Sequence, residues 1–257
     1  MASRAARSTA LAAYVLHHYD WSESSLILDL FTREQGRIAV AAKGAKRPFS
    51  QLRGVLLPFQ RLQVSLGRQA PADDTREVHT LRGAEWAGGH PMLSGSALFS
   101  GFYLNELLMK LLARHDPHAV LFDAYAGTVA ALAEGDDAAT QAALRAFELV
   151  LLREIGLLPD LGTETASHRA VRAERRYLVL ADAGVVETAD DNEATVGGAT
   201  LAALELALRD DLASLQRVAA GALAALRPLL RAQLHYHLGT SQLRTRQVMI
   251  EAQALDR

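Results

Sequence analysis

The hydrophobic period of this chain changes near residue 90, and that change constrains the fold more than any other feature. Before it, apolar residues recur at every second position, as in Leu26, Leu28 and Leu30, and again in Ile38 and Val40. After it, Leu104, Leu107, Leu108, Leu111 and Leu112 recur at helical spacing. A strand turns a side chain to the same face every second residue and a helix about every 3.6, so no segment satisfies both patterns. The chain therefore reads as an α+β multidomain protein, with a β head over 1–86 and an α-helical body over 92–257.

Within the head, strands are expected at Leu11–His18, Ser25–Thr32, Arg37–Ala42, Gly54–Leu66 and Glu77–Ala84. Glu34-Gln35-Gly36 supplies a short glycine-containing hairpin turn, and Pro58 demands an edge or bulge in the fourth strand. Gly67–Thr75 reads as a loop. Five short strands with polar turns suit a small closed barrel. In the body, Asp116-Pro117 reads as a helix start, and a helix is expected over 138–155 that ends before Gly156. Residues at about 160–200 lose the pattern and form a small irregular insert, apart from a hairpin of Arg176–Leu180 and Val185–Thr188. Helices resume at Leu201–Leu208 and Leu212–Leu226. Pro228 then restarts one that stops at Gly239, and a last runs from about Gln242 to Ala254.

With 50% hydrophobic and 22% charged residues, 257 residues can bury a core, and global disorder is excluded. No apolar run of membrane-spanning length occurs. Arg4 and Arg7 before Thr9–Leu16 faintly resemble a signal peptide, but the apolar part runs straight into His17, His18 and Asp20 and reads as the first strand. The absence of cysteine excludes disulfides, thiolate zinc sites and cysteine nucleophiles, and fits a reducing, cytoplasmic setting.

Charge is divided unevenly. Residues 1–70 carry ten basic and four acidic side chains, a net of +6, so the remainder must supply −8 to reach the total of −2. A basic head on an acidic body points to a polyanionic partner. The basic residues Arg33, Arg37, Lys43, Lys46, Arg47 and Arg53 and the aromatic Phe49 gather around one loop of the head. Cations on a barrel rim can track phosphates while a ring stacks on a base, so these seven are the first candidates for DNA binding. The alternative is a solvated loop with Phe49 tucked into the core. Residues 227–250 add Arg227, Arg231, Arg244 and Arg246 with no acid, and Arg244 and Arg246 join the DNA-binding candidates.

Catalytic patterns are missing. There is no phosphate-binding glycine loop before a lysine, no Gly-x-Ser-x-Gly elbow and no nucleophile–base arrangement, so no enzyme is expected. His17-His18 is expected to point to opposite faces of a strand, and His235-x-His237 diverges on a helix. The doublets Asp136-Asp137, Asp190-Asp191 and Asp210-Asp211 sit at element boundaries, where capping accounts for them. Neither a metal nor a cofactor is expected.

Several ordered segments resemble the bacterial RecO recombination-mediator family. Tyr14–Thr32 with Gly36-Arg37, then Ala42-Lys43-Gly44-Ala45 and Leu57-Pro58-Phe59, are similar to its opening. Tyr103-Leu-Asn-Glu106-Leu-Leu, Asp123-x-Tyr125, Leu144-Arg145-x-Phe147-Glu148-Leu and Ile155-Gly156 are similar to its helical domain. His237-Leu-Gly239 and Leu243-Arg-Thr-Arg246 are similar to its closing helices. The resemblance implies an N-terminal OB-type β-barrel on a helical domain, and binding and annealing of single- and double-stranded DNA. It also implies contact with the tail of the single-strand DNA-binding protein, and action with RecR in loading RecA. Lys110, Leu144, Arg145 and Phe147 are the implied tail-binding residues, although Ala146 stands where a basic residue is frequent. Arg145 either holds the tail carboxylate or pairs with Glu148 or Glu106. Some members carry a four-cysteine zinc motif in the insert, whereas residues 160–200 here hold no cysteine and only His168, so zinc is not expected. A protein-interaction adaptor that does not bind DNA is the competing reading.

Overall fold

A computed structural model describes residues 10–67, 78–239, 243–245 and 247–248. The expected loop at 67–75, apart from Gly67, and most of the expected helix from Gln242 to Ala254 lie outside the described residues. The described chain divides into two compact units. One comprises the residues up to Leu93 with Leu107–Ala126, and the other Ser94–Glu106 with those from Gly127 onward.

The first unit is a closed five-stranded barrel of OB type in the order β1-β2-β3-β5-β4. Its strands are β1 (Leu11–Asp20), β2 (Leu26–Thr32), β3 (Gly36–Ala42), β4 (Leu62–Leu66) and β5 (Val78–Trp86). β3 pairs in parallel with β5, and β1 closes the barrel antiparallel to β4. Leu28, Leu30, Ile38, Val40, Leu62 and Val64 fill the interior. The outward side chains of β1 and β2 are buried as well. Tyr14 packs on Phe122 (5.3 Å) and Tyr125 (4.9 Å), and Phe31 on Phe122 (5.3 Å), all within this unit. Burial on both faces explains why Leu11–Leu16 is a continuous apolar run rather than an alternating one.

Three local expectations need correction. The expected strand Gly54–Leu66 is a short helix, α1 (Gln51–Val55), a turn through Pro58 and Phe59, and then β4. Leu52, Val55 and Leu56 recur at helical spacing, Pro58 only bridges Val15, and Phe59 adopts φ 64°. The helix expected at Asp116-Pro117 starts at Ala119, because residues 112–118 are held to the barrel instead. His115 N donates to Arg37 O (3.0 Å), and Gly36, at φ 66°, lies so close that a Cβ would fall 2.0 Å from Asp116 O. Only glycine satisfies both demands at that position. β1 carries a bulge between Val15 and His17, after which His17 and His18 pair in sequence with Asp29 and Leu28, and their two rings lie nearly parallel 6.0 Å apart. Finally, Pro228 lies inside α7 instead of starting it.

The second unit is helical. It holds α2 (Gly95–Leu111) as far as Glu106, the second half of α3 (Ala119–Glu134), and the whole of α4 (Asp137–Glu154), α5 (Gly198–Arg209), α6 (Leu212–Gly221) and α7 (Leu223–Leu238). Asp136 and Asp211 cap α4 and α6 by accepting from Ala138 N (3.0 Å) and Ser214 N (2.7 Å), as the acidic doublets suggested. α4 is central: Ala142, Ala143, Leu144 and every residue from Ala146 to Leu152 are buried. The insert forms a three-stranded sheet, β6 (Arg176–Leu180), β7 (Gly184–Thr188) and β8 (Val196–Gly197) in the order β7-β6-β8, with the expected hairpin. Arg172 Nη2, which donates to both carboxylate oxygens of Glu187 (2.9 and 2.7 Å), and the buried Tyr177, whose hydroxyl accepts from Arg172 N, hold it together. Gln233 Nε2 ties β6 to α7 through Val179 O (2.9 Å). No described helix is long and apolar enough to cross a membrane.

Candidate functional site

The barrel rim is built by two loops hydrogen-bonded to each other. Trp21 N and Ser22 N donate to Ser25 O, closing the tip of the β1–β2 hairpin (3.2 and 3.4 Å). The loop after β3 is bound to this tip, with Lys46 N donating to Ser24 O (3.0 Å) and Gly44 N to Ser25 Oγ (3.4 Å). The backbone of the rim is therefore held, and Trp21, Lys43, Arg47 and Phe49 on it are exposed.

The seven rim candidates divide into two groups. Lys43, Arg47 and Arg53 are exposed and make no ion pair among the described residues, and Phe49 is 100% exposed. The alternative that Phe49 is tucked into the core does not hold. Lys46 is intermediate: its ammonium pairs with Asp20 (3.0 Å) and donates to Ser22 O (3.2 Å). Arg33 and Arg37 are committed elsewhere. Arg33 makes a bidentate pair with Asp123 (3.0 and 2.8 Å), and Arg37 donates to Met109 O, so both tie the barrel to the helical segments of its own unit. Arg244 is exposed in the helical unit, where its backbone N and that of Thr245 donate to Glu106 (2.9 Å each). Arg246 lies outside the described residues. The sequence reading missed Trp21, 58% exposed at the tip of the hairpin. Its signal was a tryptophan in a polar turn, where a large ring has no core to fill.

The helical unit contains a cleft of about 420 Å³ lined by Tyr103, Leu144, Arg145, Arg227, Arg231, Leu234 and Leu243, among others. Arg145 pairs with Glu148 Oε1 at 2.7 Å, and Tyr103 donates to the same oxygen at 2.6 Å. Glu148 is fully buried, and its Oε2 has no hydrogen-bond partner among the described residues. Burial therefore raises its pKa, outweighing the opposing pull of Arg145 and of the Tyr103 hydrogen bond. Of the residues implied for tail binding, Leu144 and Arg145 are brought together here. Phe147 is fully buried and packs inside the unit, and Lys110 belongs with the barrel unit; neither lines the cleft. In their place stand Arg227 and Arg231, exposed and without an ion pair among the described residues. Their i, i+4 spacing, with Leu234 three residues on, already placed them on one helix face.

The other acidic pocket of this unit is structural. Glu205 receives Arg153 (3.2 and 2.6 Å), Leu161 N (2.9 Å) and Arg209 Nε (3.0 Å). Burial pushes its pKa up, but these hydrogen bonds prevail and hold it below the ordinary value. The described residues contain no cluster of three or more metal-ligating side chains.

Residues 7–89 match the family model described as recombination protein O N terminal, and residues 92–247 the one described as recombination protein O C terminal. The DNA repair protein RecO of Variovorax paradoxus (strain S110) is 54% identical over 253 residues, covering 95% of this chain and 96% of that protein. That of Delftia acidovorans (strain DSM 14801 / SPH-1) is 52% identical over 247 residues, with the same coverage. That of Polaromonas sp. (strain JS666 / ATCC BAA-500) is 51% identical over 245 residues, again with the same coverage. Two family models in barrel-then-helix order, and relatives sharing half their residues along nearly their whole length, place this chain in the recombination protein O family of DNA repair proteins.

Proposed function

We propose that the chain is a non-enzymatic mediator of DNA repair and homologous recombination in the bacterial cytoplasm, at the nucleoid. In this reading it binds single- and double-stranded DNA through the barrel rim and anneals complementary strands. It acts with RecR to load RecA on DNA coated by single-strand DNA-binding protein, whose C-terminal tail enters the helical cleft. The observation that carries the reading is the group of exposed cations Lys43, Arg47 and Arg53 around a fully exposed Phe49. Cations of this kind release counterions from a phosphate backbone irrespective of sequence. The cleft supports the second part, because it pairs apolar walls with the two exposed arginines that a tail ending in a ring and a carboxylate requires.

Binding of a labelled single-stranded oligonucleotide across a salt series, with annealing followed in the same samples, tests the first part. Steep salt dependence and accelerated annealing are expected; weak, salt-insensitive association would favour the adaptor reading. For the cleft, Arg231→Ala is a cleaner probe than Arg145→Ala, because it leaves no buried carboxylate stranded. It should weaken binding of the tail peptide by about 1.5–3 kcal/mol while DNA affinity stays near the parent value. Unchanged peptide binding in both Arg227→Ala and Arg231→Ala would place the tail elsewhere.

A further inference from the structure

Past its pairing with β4 at Leu11–Ala13, β1 runs on paired with β2. Residues 11–16 of β1 are buried, whereas His17, His18, Tyr19 and Asp20 are all exposed. The His17 and His18 rings lie nearly parallel 6.0 Å apart, and Tyr19 meets His17 edge-on at 4.5 Å. Trp21 follows at the tip, and Phe49 extends from the loop bound to that tip. Large rings are normally withdrawn from water, and here Trp21 and Phe49 stand exposed on two loops whose backbones are hydrogen-bonded to each other.

We propose that Trp21 and Phe49, extended along the hairpin by Tyr19, form a shelf on which the unpaired bases of single-stranded DNA stack, while Lys43, Arg47 and Arg53 take the phosphates. The proposal rests on the DNA-binding reading above and assigns a division of labour within it. Every base has a π-face, so stacking is indifferent to sequence. In a duplex those faces are already stacked on neighbouring bases, so the rings add affinity only for single strands, whereas the cations serve both forms. The acids of this rim are Asp20, neutralised by Lys46, and Glu23, exposed in the turn. Glu23 repels phosphate from the hairpin tip and biases the backbone toward the loop at 43–53. A strand held by its base faces keeps its Watson–Crick edges free, which is the geometry an incoming complementary strand needs.

The chain has two tryptophans, so Trp86→Phe leaves Trp21 as the sole reporter. This variant is titrated with oligothymidylate and with a duplex of equal length, reading tryptophan emission and the anisotropy of a label on the DNA in the same samples. Oligothymidylate should quench the emission in step with the anisotropy rise, and duplex should raise anisotropy without quenching. Trp21→Ala and Phe49→Ala should each weaken single-strand binding roughly tenfold and leave duplex binding unchanged, with Trp21→Phe restoring most of the loss. Single-strand binding with unquenched emission and parent-like affinity in both alanine variants overturns the shelf and leaves the phosphate-binding rim standing. If neither form of DNA binds the parent, the rim and the shelf fall together.

Discussion

The barrel rim and the helical cleft both carry arginines, and Arg145 of the cleft is used in the opposite way to the cations of the rim. On the rim, Lys43, Arg47 and Arg53 stand in solvent without partners among the described residues, and the backbone beneath them is held by hydrogen bonds between loops. In the cleft, Arg145 is mostly buried and locked to a carboxylate with no access to water. Exposed charges contribute almost nothing to folding and remain available to a ligand. A buried pair is different, because removing one partner leaves an uncompensated charge. The comparison teaches that a basic residue count measures neither role, since the environment decides whether an arginine binds or braces.

The largest expected effect tests the bracing side. Arg145→Ala should cost about 3 kcal/mol of stability by stranding Glu148, measured by urea unfolding, and adding Glu148→Gln should recover most of it. If Arg145→Ala were as stable as the parent, the cleft arginine would belong with the rim. Next, the triple variant Lys43→Glu, Arg47→Glu, Arg53→Glu should fold with near-parent stability but lose DNA affinity for all sequences alike. The slope of log K against log salt for single strands should fall by roughly 0.7 per lost phosphate contact, and an unchanged slope in the folded variant would remove these residues from the interface.

A smaller effect separates two carboxylates of the helical unit by pH. The native state raises the pKa of Glu148, so it binds that proton more tightly than the unfolded chain does. Stability from this group therefore falls as pH rises from the ordinary value of 4.5 toward the raised native one. Glu205 is lowered, so its contribution is present above the ordinary value and is lost as pH falls through the native one. Glu148→Gln should remove the decline above about pH 4.5 and Glu205→Gln the loss below it, both read as urea midpoints over about pH 3–7. The reverse pattern would mean that the two environments are misassigned. The smallest expected effect is none at all: purified protein should contain no stoichiometric zinc, and a chelator should leave its melting temperature unchanged. One zinc per chain would force a search among His17, His18, His235 and His237.

The sequence made most of the barrel legible because Leu28 and Leu30, and Ile38 and Val40, alternate into its interior, and Glu34-Gln35-Gly36 marks a turn through a residue that admits positive φ, as Gly184 does in the insert. The helix stop at Gly239, at φ 63°, was legible for the same reason. α1 was not, since five residues carry too little periodicity to outvote the strand-like run around them. Proline at 228 suggested a boundary, yet the helix starts five residues earlier at Leu223, because packing of Leu226, Leu229 and Leu230 outweighs one missing hydrogen bond. Of the site, the rim cations and Phe49 were legible from charge and loop position, and Leu144 and Arg145 from the family resemblance. Trp21, Arg227 and Arg231 were visible in the sequence without their roles.

What the sequence determined by itself was therefore local: which segments are strands or helices, where turns and caps fall, and that the head is basic and the body acidic. Those properties depend on neighbours a few residues apart, and the code for them is short-range. Only the tertiary structure decided which charges are spent. It joins Arg33 to Asp123, Arg37 to Met109 and Arg145 to Glu148, and it leaves Lys43, Arg47 and Arg53 in solvent. The first two pairs span sequence separations of 90 and 72 residues. Even the i, i+3 pair acquires its meaning from the helices that cover it, because burial, not spacing, strips water from a carboxylate and fixes the energy of its partner.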